Sequence, residues 1–456
     1  MTRLLLHTAV ATALAAGALG LTQPARASSD GVHTVRVPDG DPHERSLAPR
    51  TTEPFSMIGV TWDDPDAALD GTAQVRTRSR ESGEWSAWRP LDTDVRTPET
   101  GPDRLRAGVR GGTQPLWTGP SDGVQVRVSG ARLPEGLRVE LVDPDGGPDA
   151  VRTTVVEPDV DEPDVDEPDV DEPDVDEPDV DEPDVDEPDV DEVDVDEVDV
   201  DEADVDEADV DEPDVDEPDV VEPAAVEPAA GGPSAQRPAV TSRSGWGADE
   251  SLVKDPPTYT TNTQAMFVHH TAGTNDYSCA ESASVVRGVF LYHVRSNGWN
   301  DIGYHFLVDK CGTVFEGRAG GIDKPVLGAH TYGFNAGTSS ISVLGDYNKT
   351  TANTAVRESV AKVAAWKLGL YGIDPTGTVV LTAGADNGKY KAGQKATLPR
   401  ISGHRDGYPT ECPGQHLYDD LPEIRTLAGK AAKPEEPAPD PTAPGTEDDT
   451  TVTLAR

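Results

Sequence analysis

Between residues 50 and 145, apolar and polar positions alternate in short runs: Gln74-Val-Arg-Thr-Arg78, Val124-Gln-Val-Arg-Val128 and Leu137-Arg-Val-Glu-Leu-Val142. A period of two is the signature of strands with one buried face, and Gly, Pro and Asp separate the runs. The segment predicts an all-β module with no convincing helix. Trp85 and Trp88 have two readings, a core pair or a platform for sugar rings, and the weight of aromatics in core burial favours the first.

The pattern changes after residue 241. Ala265-Met-Phe-Val268 is a short apolar run that fits a buried strand ending at His269, whereas residues 280–294 place Val285, Val289 and Tyr292 at helical spacing. Residues 304–308 and 313–316 flank the turn-like Asp309-Lys-Cys-Gly312 and predict a hairpin. Ser340-Ile-Ser-Val-Leu344 predicts another strand, Val356, Val360, Val363 and Ala364 a second helix ending near Gly369, and residues 417–427 a third. Residues 241–430 therefore read as one α/β domain with a mixed central sheet and flanking helices. The tail, 431–456, is too polar to bury a core and is expected to be disordered.

Between the two modules the unit Asp-Glu-Pro-Asp-Val repeats from Glu157 to about Val220, and Pro and Ala then dominate to residue 238. Like charges repel and proline favours extended chain, so 151–240 predicts a disordered, semi-rigid spacer, whose repeat of about 60 residues alone could reach on the order of 190 Å. The carboxylates also suit calcium, but the unit lacks the glycines of calcium loops, which leaves diffuse cation binding as the weaker alternative. The repeat accounts for most of the net charge of −47. Residues 241–430 carry equal numbers of acidic and basic side chains, which excludes the basic footprint of a nucleic-acid binder. At the N-terminus, Arg3, an apolar stretch from Ala9 to Leu21 and Ala25-Arg-Ala27 predict a cleaved signal peptide, residues 1–27. The stretch is too short to span a bilayer, so no stable membrane anchor is expected after cleavage. The mature protein is expected outside the cell as a monomer.

The candidate chemistry lies in His269, His404 and Cys412. Imidazole and thiolate suit zinc, and three protein ligands leave the fourth position open for catalysis. His270 competes with His269 as a ligand, and since successive strand residues face opposite ways only one of them can reach the metal. Three cysteines in an exported chain are an odd number. If Cys412 holds metal, Cys279 and Cys311 are left to pair; the alternative is a disulfide that consumes Cys412.

Six blocks in order carry a family resemblance: Ser244-Gly-Trp-Gly247, Phe267-Val-His-His-Thr-Ala-Gly273, Gly298-Trp-Asn-Asp-Ile-Gly-Tyr-His-Phe306, Gly312-Thr-Val-Phe-Glu-Gly-Arg318, Gly328-Ala-His330, and Gly403-His-Arg-Asp406 through Cys412-Pro-Gly414. Residues 241–428 resemble the peptidoglycan recognition protein and type 2 N-acetylmuramoyl-L-alanine amidase family. The resemblance implies a one-zinc hydrolase cutting the amide between the lactyl group of muramic acid and L-alanine, with peptidoglycan as partner and a location at the cell wall. It implies His269, His404 and Cys412 as metal ligands, Tyr304 and Thr410 as catalytic donors, and His293, Trp299 and His330 as substrate-groove residues. His305 should face away from Tyr304 and be structural. The central strand, Ser340-Ile-Ser-Val-Leu344, lacks the glutamate base of some bacterial relatives, and Glu316 has no assignable role. The rivals are a binding-only recognition module, whose members typically lack the cysteine ligand, and a wall-anchored adhesin-like protein.

Overall fold

In the computed structural model of the chain, residues 31–146 and 235–433 are described. The predicted signal peptide, the acidic repeat and the tail beyond 433 lie outside the described residues.

The first stretch forms an antiparallel sheet of β1 (Val32–Arg36), β2 (Glu44–Trp62), β3 (Gly71–Ser79), β4 (Arg89–Leu91), β5 (Gly111–Gly112), β6 (Leu116–Gly130) and β7 (Arg138–Val142), in the order β1-β7-β2-β6-β3-β4 with β5 also on β2. It begins ahead of the expected residue 50. The pairing of β2 with β6 slips at three places, and such bulges bend long strands. Ile58, Val60, Trp62, Val75, Val126 and Leu141 fill its core. A single helical turn, α1 (Pro102–Leu105), lies between β4 and β5, in the region read as helix-free. Trp85 and Trp88 are not in that core: both are half-buried at the surface, with the Arg76 guanidinium 5.3 Å from each ring and that of Arg127 4.3 Å from Trp88.

The second stretch opens with the turn α2 (Arg243–Trp246) and builds a five-stranded mixed sheet from β8 (Ala265–His270), β9 (Phe306–Val308), β10 (Val314–Glu316), β11 (Thr338–Val343) and β14 (Ile401–Gly403), ordered β10-β9-β11-β8-β14. Only the β9–β10 hairpin is antiparallel. Alternation along β8 decides its two faces. Met266 and Val268 pack with α4 (Thr354–Gly369) and α6 (Gln415–Ala431), whereas Phe267 and His269 point the other way. The helix predicted over 280–294 is α3 (Ser282–Leu291), followed by a π-helical turn, Tyr292–Ser296. The hairpin of β12 (Thr378–Thr382) and β13 (Lys395–Pro399) was not anticipated; its inward Val379, Leu381, Ala396 and Leu398 pack on Phe267 and Phe334. A last turn, α5 (His404–Gly407), follows β14 directly.

The two domains share a core. In the buried half of β2, Ile58, Val60 and Trp62 face their own domain, while Met57 joins Trp117 and Val142 against Val286, Val289 and Phe290 of α3. That is why the run Phe55–Trp62 is buried on both faces. Gly59 is required there, because a Cβ would collide with the Tyr292 ring, whose hydroxyl reaches the Val60 carbonyl at 3.4 Å. Cys279 and Cys311 form a disulfide, and Cys412 is a free, buried thiol. No helix among the described residues is long and apolar enough to cross a membrane.

Candidate active site

Parallel strands aim their carboxyl ends at one edge of the sheet, the usual place for a ligand in α/β architecture. His269 stands at that end of β8 and His404 follows β14 as the first residue of α5. Cys412 is brought in by the α5–α6 loop. The Arg405 N–H donates to the Cys412 carbonyl at 3.0 Å and the Cys412 N–H to Thr410 Oγ1 at 3.1 Å. Asp406 fixes the start of α5 by accepting from the Gly403 N–H (2.9 Å) and the Tyr418 hydroxyl (2.7 Å).

The ligating atoms of His269, His404 and Cys412 all lie within 4.8 Å of one another, and all three residues are buried. Cys412 Sγ is 3.7 Å from His269 Nδ1. Ligands on a tetrahedral zinc, with bonds of about 2.0–2.3 Å, stand roughly 3.5 Å apart, so the spacing fits the ion. The other nitrogen of His269, Nε2, is 3.4 Å from Thr331 Oγ1, the kind of outer contact that fixes the tautomer of a ligating histidine. Burial pushes His269 well below the ordinary imidazole range and His404 down to about 3, so both are neutral with a lone pair free. Burial raises the Cys412 thiol well above its usual range, against a His270 N–H donating to Sγ at 3.4 Å. A bound cation would offset that cost, since a thiolate ligand gives up its proton to metal. The donor set therefore fits zinc. His270 faces away, where its Nδ1 accepts from the Tyr347 N–H at 3.2 Å.

Around this cluster, the Tyr304 ring lies 5.2 Å from His269 and its hydroxyl is held well above the ordinary phenol range, chiefly by burial and then by Cys412. His293 stacks on Trp299 (centroids 4.6 Å apart) and accepts from the Gly303 N–H at 3.2 Å. His330 packs edge-on to His269 and its Nε2 has no partner. Both ring nitrogens of His305 are engaged, by Ser340 Oγ (3.1 Å) and the Val326 carbonyl (2.8 Å). Glu316 instead meets the Arg243 backbone N–H at 3.4 Å.

Residues of the first domain close the picture. The Gln114 side-chain amide donates to the Tyr304 hydroxyl at 3.1 Å, and Arg96 Nε to the hydroxyl of Tyr408, whose ring stacks on His404. Burial raises the pKa of Asp94, against the Thr410 hydroxyl, which lies close enough to favour the carboxylate. No periodicity marks these positions; the one available signal is the long irregular connection between β4 and β6, since such loops are usually functional.

Residues 18–164 match the family described as Rv3811 N-terminal galactose-binding domain-like, and residues 259–415 match N-acetylmuramoyl-L-alanine amidase. Peptidoglycan-recognition protein SC2 of Drosophila simulans is 32% identical over 187 residues, covering 41% of this chain and 85% of that protein. The chain belongs to the peptidoglycan recognition protein and type 2 amidase family. Peptidoglycan recognition protein 1 of Bos taurus is 30% identical over 186 residues, covering 40% of this chain and 80% of the relative. Among solved structures, wild-type Drosophila PGRP-LB aligns at 25% identity over 40% of this chain and 92% of its own, with a TM-score of 0.32. Membership gives the second domain a role in peptidoglycan binding or amide hydrolysis, joined here to a galactose-binding-like β domain.

Proposed function

We propose that the protein is an exported zinc amidase that cuts the bond between the muramic acid lactyl group and L-alanine in peptidoglycan. The observation that carries this reading is the convergence of two neutral imidazoles and a thiol at one strand edge, beside a protonated tyrosine. His269, His404 and Cys412 would hold one zinc ion, which when bound supplies Lewis acidity toward a carbonyl and acidifies water.

The residues of the chain supply the rest. Tyr304 keeps its proton and can donate it in a hydrogen bond as negative charge grows on the amide oxygen. Such a donor in a water-poor site is worth about 2.7–4 kcal/mol of barrier. Thr410 is the second donor, on the loop that carries Cys412. His293, Trp299 and His330 offer a stacking wall and an unpaired nitrogen to the muramyl peptide. In this reading residues 1–27 direct export, 151–240 space the amidase domain (241–430) from its surroundings, and the product works as a monomer at the cell wall.

Mass analysis of the products from a defined muropeptide tests the proposal. Release of free stem peptide, lost on chelation and restored by zinc, is expected. An intact muropeptide that stays bound to zinc-loaded protein would instead make the domain a binding module.

A further inference from the structure

Residues 92–115, the connection from β4 to β6, border the cleft of the second domain before returning to their own sheet through β5. Asp94, Val95, Arg96 and Gln114 meet His293, Tyr304, His330 and His404 around a cavity of only about 20 Å³. That volume holds about one water molecule, not a sugar or a peptide. A larger cavity of about 420 Å³ borders the same connection against His270, Asp346 and Glu411, and none of the three candidate ligands lines it. The connection also reaches both proposed catalytic donors: Gln114 donates to the Tyr304 hydroxyl, and Asp94 lies beside Thr410.

We infer that the Asp92–Pro115 connection is a built-in occluder: docked, it shuts the amidase cleft to muramyl peptides, and hydrolysis requires its first half to lift away. This rests on the amidase reading of the cleft.

The two halves are held unequally. Residues 101–115 are anchored firmly. Asp103 pairs with Arg318 out of solvent, Val109 packs on Trp299 and Ala329, and the Arg110 N–H donates to the Asn297 carbonyl at 2.9 Å. Residues 92–100 lack such a buried ion pair: Arg96 donates to the Tyr408 hydroxyl, Glu99 accepts from Asn335 Nδ2 at 2.7 Å, and Val95 packs partly buried beside Val109 and Trp299. A partly exposed charged contact such as that of Arg96 is worth little. The segment over the metal cluster is therefore the part that can open while the domains stay docked.

A closed cleft lowers apparent affinity by the fraction of open molecules, so an open population of about a tenth or less predicts at least about a tenfold gain on release. The full mature chain is compared with Asp94→Ala/Arg96→Ala/Glu99→Ala, which spares the Asp103–Arg318 pair. A second form carries a protease site inserted between Thr100 and Gly101, at the boundary of the two halves where Thr100 is exposed, and is cut before assay. Calorimetric titration with N-acetylmuramyl-tripeptide under chelation reads access without turnover. About tenfold or tighter binding by both altered forms is expected, with a parallel rise in kcat/KM once zinc is restored. Affinity that is equal, weaker or undetectable in all three overturns the occluder. If affinity rises but no form cuts the amide, the occluder stands and the amidase reading falls; equal cutting at equal affinity has the opposite meaning.

Discussion

Asp103 of the first domain and Arg318 of the second form an ion pair at 2.7 Å, with side chains only 2% and 5% exposed. Asp103 also accepts from the Asn300 N–H at 2.8 Å. Removing one partner of such a pair strands the other charge, a loss of about 3–5 kcal/mol. Asp103→Ala should therefore lower the melting temperature of the whole described unit in one transition. Two separate transitions, with the amidase melting unchanged, would refute a shared folding unit.

The same pair sets an acid limb. Burial alone would raise the pKa of Asp103, but Arg318 and the backbone N–H groups of Asn300 and Asp301 outweigh it and hold it below the ordinary value of 3.8. A depressed carboxylate contributes stability that is present above the unfolded pKa and lost as pH falls through the folded one. The stability difference between parent and Asp103→Asn should shrink as pH drops below about 4. A difference that stays constant down to pH 2 would show that no such linkage exists.

Cys412→Ser and His269→Gln should each lose zinc stoichiometry and nearly all turnover, because three ligands leave no redundancy. His270→Gln should keep the metal and lose about 1–3 kcal/mol of stability, through the buried Tyr347 N–H it leaves unpaired. Elemental analysis with parallel melts separates the two classes. Zinc loss in His270→Gln would mean that β8 presents the wrong face.

Tyr304→Phe removes a hydroxyl but keeps the ring beside His269. The expected outcome is full zinc content and a fall in kcat of about 10²–10³. Parent-like turnover in this variant would remove Tyr304 from the chemistry.

Much of the amidase domain was legible because its strands and helices have distinct periods: the runs at 265–268, 340–344 and 356–364 appear as β8, β11 and α4. The β12–β13 hairpin escaped because a long polar loop, not a tight turn, joins two strands of only five residues each. The domain contact was invisible for a different reason. Phe55–Trp62 is buried on both faces, but Ser56, Gly59 and Thr61 interrupt its apolar residues, and the run says nothing of what covers it. The grouping of His269, His404 and Cys412 could be read from residue types and blocks; the residues set against it, Asp94, Arg96 and Gln114, lie in irregular chain that no pattern places.

Lys367 offers a test at neutral and alkaline pH. Its amine is buried in α4 and donates to the carbonyls of Ile322 (2.7 Å) and Lys324 (2.6 Å). Burial pushes its pKa from 10.5 down to about 7, against a smaller upward pull from Asp323. Between these two values the unfolded chain holds a proton that the folded chain lacks, so stability rises with pH across the window. The rise approaches about 1.4 kcal/mol per pH unit and totals on the order of 5 kcal/mol. Lys367→Met removes this titration and leaves two carbonyls without a donor, a cost of about 1–3 kcal/mol that does not vary with pH. Urea denaturation at pH 7, 8.5 and 9.5 should show the parent gaining on the variant at each step. A stability difference independent of pH over that range would mean that the folded amine keeps its proton despite its burial.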